Sequence, residues 1–140
     1  MTWLLLAVIA FFSFGAVNAL FKVGQEGGLN RYYITVSLYT VAAVMSAFWG
    51  FLSGNLTAER AIALKSLALG VPIGLASVVG VIVLQQAFTK GPASLISPIV
   101  ALNGIIVVAV ALLIYRESIS VAQAAGILLA FLAVLLISRG

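Results

Sequence analysis

This chain of 140 residues contains no cysteine, no histidine and no aspartate. Without cysteine there is no disulfide, no thiolate nucleophile and no cysteine-based zinc or iron–sulfur site. Without histidine, the commonest general base and metal ligand is missing, and a serine nucleophile would have no base beside it. The carboxylates are Glu26, Glu59 and Glu117, and each lies in a segment with loop composition. The sequence therefore predicts a protein that is not an enzyme and that has neither a metal site nor a cofactor.

Charge of either sign is also scarce. Charged residues make up 7% of the chain and hydrophobic residues 64%, whereas a soluble domain is about 25% charged. The seven basic residues are spread along the sequence, so they form no patch and no nucleic-acid partner is expected. Apolar runs of about twenty residues, the length that crosses a bilayer, recur throughout. The chain is therefore predicted to be an integral membrane protein surrounded by lipid.

Charged residues separate five predicted transmembrane helices, because a charge at the bilayer centre is costly. The helices are predicted at about residues 2–21, 32–52, 67–88, 93–114 and 120–137. The first run has no charged residues before it, which favours a retained helix over a cleaved signal peptide. Merging the third and fourth helices is an alternative, but Gly91-Pro92 argues against it because proline cannot continue the helical hydrogen bonds. We expect one all-α domain over residues 1–140, with its termini on opposite sides of the membrane.

Two helix starts carry recognisable capping signals. Thr57-Ala58-Glu59 has the pattern of an N-cap followed by an acidic first turn,. Ser120 and Gln123 have the spacing of a capping box and predict the start of the fifth helix,.

Motifs in the second half of the chain resemble those of a transporter family. Residues 86–99, QAFTKGPASLISPI, resemble the "AL..G.AS...P" hairpin of the drug/metabolite transporter superfamily, specifically its EamA-like five-helix repeat. Residues 115–126, YRESISVAQAAG, are similar to the family's "GE.(I/L)S..Q..G" turn, with Arg116 where the family usually has glycine. Phe14-Gly15 through Lys22 looks like the family's "WG....K" segment, with Phe14 replacing tryptophan.

The resemblance implies a fold, a partner and a location. Members with this repeat usually carry two copies with inverted topology, fused into a ten-helix transporter of small organic molecules. This chain looks like one copy, or half of such an inverted-repeat transporter, and transporters of that design bind substrate near the midplane between the repeats. The resemblance therefore implies a fold completed by dimerisation, a small-molecule substrate and a place in the cell inner (plasma) membrane.

Polar residues on the first and third helices are the first candidates for a substrate pathway. Asn18 and Lys22 share one face of the first helix,. The alternatives are an interhelical hydrogen bond for Asn18 and a snorkelling side chain at a helix end for Lys22. On the third helix Ser77 and Gln85 lie along a stripe of small residues, and solvation among lipid headgroups is the alternative for Gln85,.

The fourth helix adds further candidates. Pro98 removes one backbone hydrogen bond and frees the carbonyl near Ser94, and freed backbone is tolerated at depth where it faces protein or a cavity. Ser94, Ser97 and Asn103 are its pathway candidates, and Pro72 is predicted to bend the third helix as Pro98 bends the fourth. Small residues that let helices approach closely are assigned to helix packing, and these are Gly70, Gly74, Gly104 and Gly126,.

Two functions from different classes fit these features. The first is a transporter of small organic metabolites that works by alternating access as a homodimer. The second is a non-transporting membrane scaffold, or a subunit of a heteromeric transporter or flippase. Small multidrug-resistance relatives in the superfamily depend on a glutamate in their first helix, and the predicted first helix here has no carboxylate at all. We therefore predict that transport does not use such a glutamate, and that Glu117 is a structural turn residue.

The basic residues give almost no bias in orientation. The side of the N-terminus carries Arg60, Lys65 and Arg116, and the opposite side carries Lys22, Arg31, Lys90 and Arg139. Orientation follows the imbalance of lysine and arginine between the short loops on the two sides. Three basic residues on one side and four on the other give almost no imbalance, which predicts insertion in both directions and an antiparallel dimer. The alternative is a single orientation set by Arg60 and Lys65, with parallel pairing or a separate partner.

Overall fold

The computed structural model describes residues 2–54 and 60–139, which form helices and turns without a strand. The helices are α1 (Thr2–Glu26), α2 (Arg31–Leu52), α3 (Arg60–Lys90), α4 (Ala93–Ala101), α5 (Asn103–Leu113) and α6 (Val121–Arg139). They fall into two compact units, which divide after Lys90. Residues 55–59, including the predicted N-cap at Thr57, lie outside the described residues.

The helices have the length and composition of membrane spans. Within the described ranges, four apolar stretches are long enough to cross a bilayer, namely Thr2–Glu26, Arg31–Leu52, Ile62–Lys90 and Ala93–Leu113. A shorter apolar helix covers Val121–Ile137. The predicted all-α membrane fold is confirmed, and the break between Lys90 and Ala93 shows that a merged third and fourth helix was the wrong alternative. The helices α1 and α3 extend beyond the predicted ranges, and a single domain over residues 1–140 stays a prediction.

The connection between α1 and α2 is short and fully hydrogen-bonded. Gly28 adopts a φ of 68°, in the left-handed region that glycine occupies without a Cβ penalty,. The amides of Gly28 and Leu29 donate to the carbonyls of Gln25 and Gly24, at 3.1 and 2.9 Å, which is the pattern of a Schellman motif,. Asn30 then caps α2, and its side chain accepts from the Tyr32 amide at 2.9 Å,. These bonds fix the turn that brings α2 back beside α1.

The first unit packs α1 against α2 and α3, and α2 against α3. Its buried apolar side chains are Phe21 and Phe88, near the end of the unit that holds the α1–α2 turn. Gly24 is also buried there, and a Cβ on it would lie 3.0 Å from Cδ1 of Ile34. The two helices therefore approach closely because residue 24 has no side chain.

The second unit packs α4 against α5 and α6, and the predicted fourth helix is interrupted within it. The Leu102 amide donates to the carbonyl of Ile99, three residues back, at 3.2 Å, and the Ile105 amide repeats this spacing to Leu102 at 2.9 Å. Pro98 removes the donor that would pair with Ser94, and Gly104 is a poor helix former, so both weaken the helix around this tight turn. In contrast, α3 continues through Pro72 without interruption.

The turn between α5 and α6 contains the predicted capping box. The Gln123 side chain accepts from the Ser120 amide at 2.7 Å, and the Ser120 hydroxyl accepts from the Gln123 amide at 3.3 Å. The capping-box prediction is therefore confirmed. Arg116 in this turn has a φ of 52°, the backbone conformation that glycine adopts most easily,. The residue at which the chain departs from the family pattern therefore holds the conformation for which glycine is suited.

Large apolar side chains cover the outside of both units. Trp3, Phe11 and Leu113 are among many that remain 70% exposed or more. In water such surfaces would drive aggregation, but lipid chains are as apolar as these side chains. The exposure is therefore that of a protein whose solvent is a bilayer.

Candidate functional site

A buried amide connects all three helices of the first unit. Gln85 on α3 is completely buried. Its Nε2 donates to Oγ1 of Thr35 on α2 at 2.9 Å, and its Oε1 accepts from Nε2 of Gln25 on α1 at 3.2 Å. Thr35 is itself buried, and its hydroxyl donates onward to the carbonyl of Arg31 at 2.8 Å. Gln85 is thus an interhelical hydrogen-bonding residue, and the alternative of solvation among headgroups was wrong.

Lys22 makes a second connection at the same end of the unit. Its Nζ lies 2.7 Å from Oε1 of Glu26, one turn further along α1. The same Nζ donates to the carbonyl of Phe88 at 3.1 Å. The last four carbonyls of a helix have no partner within it, and a positive charge there is favourable. Lys22 therefore caps the C-terminus of α3 and does not simply extend to the membrane surface.

We call these four residues, Lys22, Gln25, Thr35 and Gln85, the polar clasp. The clasp holds the end of α1, the start of α2 and the end of α3 together. Sequence analysis identified Lys22 and Gln85 but missed Gln25 and Thr35. Gln25 lies three residues after Lys22 and shares its face of α1, which is a signal that could have found it. No comparable signal identifies Thr35, because the sequence of an apolar helix does not show which residues of a neighbouring helix lie opposite it.

An open cavity of about 330 Å³ lies beside the polar clasp. Its walls include Gln25 on α1, Thr89 on α3, and Asn30, Arg31 and Tyr32 at the start of α2. Arg31 is half-buried, and no carboxylate of the described residues lies within ion-pair distance of its guanidinium. The cavity therefore offers a positive charge, amide and hydroxyl groups and an aromatic ring to a small molecule.

Asn18 and Ser77 lie deeper in the first unit. Both are half-buried, and neither side chain forms a hydrogen bond with another described residue. The serines exposed on α1 and α3 behave differently, because Ser13 and Ser66 donate to the carbonyls four residues back, each at 2.9 Å. The interhelical bond that was the alternative for Asn18 is therefore not formed within the part of the chain described, and its amide is available to another group.

The candidates on the fourth predicted helix lie in the second unit. Ser97 is half-buried, whereas Ser94 and Asn103 are exposed. Ser94 and Ser97 lie on α4, and Asn103 is the first residue of α5, directly after the tight turn at Leu102. The pathway role of these three residues stays a prediction.

The glycines assigned to helix packing have open space around them. An added Cβ would meet no described atom within 4 Å at Gly70, Gly74, Gly104 or Gly126. Gly24, which the sequence did not single out, does lie against a neighbouring helix, since a Cβ there would meet Ile34. Helix packing through these four glycines therefore stays a prediction. It would need a partner other than the residues that now surround them, because none of those lies close to the glycines.

The comparison with known protein families identifies the chain. The model of the EamA-like transporter family matches residues 1–139. The chain belongs to this family. Neither a curated protein nor a solved structure matches it.

Membership confirms the resemblance carried by the three sequence motifs. EamA-like proteins are transporters of the membrane and not enzymes, and the apolar helices of this chain are those of an integral, multi-pass protein. The match covers the polar clasp and Asn18 as well as the motif-bearing half. The match does not assign the residues that contact substrate.

Proposed function

We propose that this protein transports small organic metabolites across the membrane by alternating access. The match of the EamA-like transporter family to residues 1–139 carries the proposal. The described site adds to it, because polar groups within an apolar bundle are expensive and are typical of transport pathways. A non-transporting scaffold would have little need for an amide without a protein partner at membrane depth.

Asn18 and Ser77 are the proposed substrate contacts of the first unit. Because α1 and α3 run in the same direction, their depths can be compared by counting from the clasp bond between Gln25 and Gln85. Asn18 lies seven residues before Gln25, and Ser77 eight residues before Gln85, so each is about 10–12 Å below the clasp. Seven residues are close to two helical turns, so Asn18 projects from the same face of α1 as Gln25. Asn18 and Ser77 thus lie below the clasp on α1 and α3, toward the middle of the unit.

The polar clasp is the proposed gate at one end of this pathway. Alternating access requires that each end of the bundle opens in turn. The clasp joins three helices through hydrogen bonds between neutral side chains and through one lysine. These contacts can break one at a time and re-form. Lys22 and Gln85 would then control access, while Asn18 and Ser77 would contact the substrate. Ser94, Ser97 and Asn103 remain proposed pathway residues of the second unit.

A second five-helix repeat completes the pathway in this proposal, and a second copy of the chain in the opposite orientation would supply it. The near-equal distribution of basic residues between the two sides supports this arrangement,. The open space around Gly70 and Gly74 offers α3 a surface for close helix contact,.

A flux assay with the purified protein in liposomes tests the function. Amino acids, amines and sugar phosphates would be offered under substrate, proton and sodium gradients. We expect uptake of at least one class, and we expect Asn18→Leu to reduce uptake by tenfold or more while Ser13→Ala, a lipid-exposed change on the same helix, leaves it intact. Failure of every class under every gradient would reject transport and favour the scaffold or the heteromeric subunit.

A further inference from the structure

The cavity beside the polar clasp combines features that the proposed transport pathway does not use. Arg31 lines this cavity and has no carboxylate partner among the described residues. Among the described residues, this end of the unit carries the basic residues Lys22, Arg31 and Lys90 and one carboxylate, Glu26. Lys22 is already engaged by Glu26 and by the Phe88 carbonyl. The local excess of positive charge is therefore concentrated on Arg31 and Lys90, and Arg31 is the one that lines the cavity.

The polar groups of the cavity suit an anion with several acceptor oxygens. A guanidinium presents two parallel N–H donors that match a phosphate or carboxylate. The Gln25 amide lies in the same wall and has a second N–H for such an anion, since its first N–H donates to Gln85,. A volume of about 330 Å³ accommodates a phosphate together with the atoms attached to it,.

The position of the cavity points to a lipid as the source of that phosphate. Tyr32 and Tyr33 begin the apolar span of α2 and are 61% and 78% exposed. Exposed tyrosines at the end of a span lie at the level of the lipid headgroups. Leu29 at the rim of the cavity is exposed as well, and it offers an apolar surface to the glycerol and upper acyl chain. Basic pockets at helix ends bind anionic lipid headgroups in many membrane proteins.

We propose that this cavity binds the phosphate group of an anionic phospholipid, with Arg31 as the principal ligand. One lipid occupies the site in each protomer, with its phosphate on the guanidinium and its acyl chains along the outside of α2. The site is separate from the pathway residues Asn18 and Ser77, so the lipid is a bound partner of the protein and not the transported molecule.

Native mass spectrometry of the full-length protein in detergent tests this site. The protein would be titrated with phosphatidylglycerol, with a glucosyl diacylglycerol that has the same acyl chains but no phosphate, and with glycerol 3-phosphate as the soluble probe. We expect one phosphatidylglycerol per protomer to bind on the order of tenfold more tightly than the glycolipid, because a charge-assisted bidentate contact is lost without the phosphate.

Variants separate this site from general surface charge. Arg31→Gln should reduce the affinity for phosphatidylglycerol about tenfold, Arg31→Lys should reduce it less, and Lys90→Gln should leave it unchanged because Lys90 does not line the cavity. An equal loss for Lys90→Gln and Arg31→Gln, or no preference over the glycolipid, would overturn the proposal. Binding of glycerol 3-phosphate without binding of phosphatidylglycerol would overturn the lipid as the source. If Arg31→Gln fails to fold, the affinities of Arg31→Lys and Lys90→Gln for phosphatidylglycerol are compared instead, and only that of Arg31→Lys should be reduced.

Discussion

Gln85 is the residue on which the geometry of the first unit depends most directly. Its side chain is completely buried and bonded to two other helices. Because Gln85 is buried away from water, removing one member of the clasp leaves other polar groups unsatisfied,. Its sequence neighbour Gln86 is exposed. The pair therefore offers a direct comparison of a buried and an exposed amide at one depth.

Gln85→Met should lower the free energy of unfolding by about 1–2 kcal/mol, because it removes two interhelical hydrogen bonds at nearly constant volume. Gln86→Met should change it by less than about 0.5 kcal/mol. Denaturant titration in mixed micelles measures both. Equal effects for the two variants would contradict the interhelical role of Gln85. If the clasp is a gate, Gln85→Met should also raise the rate of leak through the reconstituted protein.

Arg116 is the residue at which local backbone geometry and side-chain identity disagree. A residue with a Cβ at a φ of 52° is strained relative to glycine,. Arg116→Gly should therefore raise the free energy of unfolding by up to about 1 kcal/mol. Arg116→Ala removes the charge but keeps the Cβ, so it should give no such gain. A gain of the same size for both variants would mean that charge, and not backbone conformation, causes the effect.

At the scale of elements, the approach of α1 to α2 depends on Gly24. A side chain there meets Ile34, whereas Gly15 on the same helix has open space. Gly24→Val should lower the free energy of unfolding by about 1–3 kcal/mol through overpacking, and Gly15→Val should have a much smaller effect. Thermal unfolding in one detergent measures the difference. If Gly15→Val is the more destabilising change, the close contact between α1 and α2 is not what holds the unit together.

The elements also show what a sequence can predict for a membrane bundle. Charges and the Gly91-Pro92 pair marked the turns, and Ser120 with Gln123 marked the start of α6, because these are local effects within a few residues. The tight turn at Leu102 was not predicted, since Pro98 indicated a weakened helix but not where it would tighten. The contact at Gly24 was missed because it depends on which helix lies opposite. Gly70 and Gly74 are the opposite case, because the sequence predicted helix packing there but no described residue lies next to them.

At the scale of the whole molecule, the distribution of basic residues leads to a prediction about topology. Reporter fusions at the C-terminus should give comparable cytoplasmic and periplasmic signals, because three basic residues oppose four,. The double variant Arg31→Gln with Lys90→Gln reduces the four to two, so it should shift the population toward the orientation with the N-terminal side in the cytoplasm. A one-sided signal in the unaltered protein, with crosslinks only between like-oriented chains, would rule out dual topology.

The hydrogen bonds of Gln85 also determine how the protein responds to bilayer thickness. A shift of one residue along a helix moves a side chain by about 1.5 Å and turns it by about 100°, so sliding α3 past α1 or α2 would break both bonds. The positions of the three helices relative to one another along the membrane normal are therefore fixed. When the surrounding bilayer is too thin, we expect the unit to tilt as one body or to deform the lipid around it. Its helices would not slide past one another.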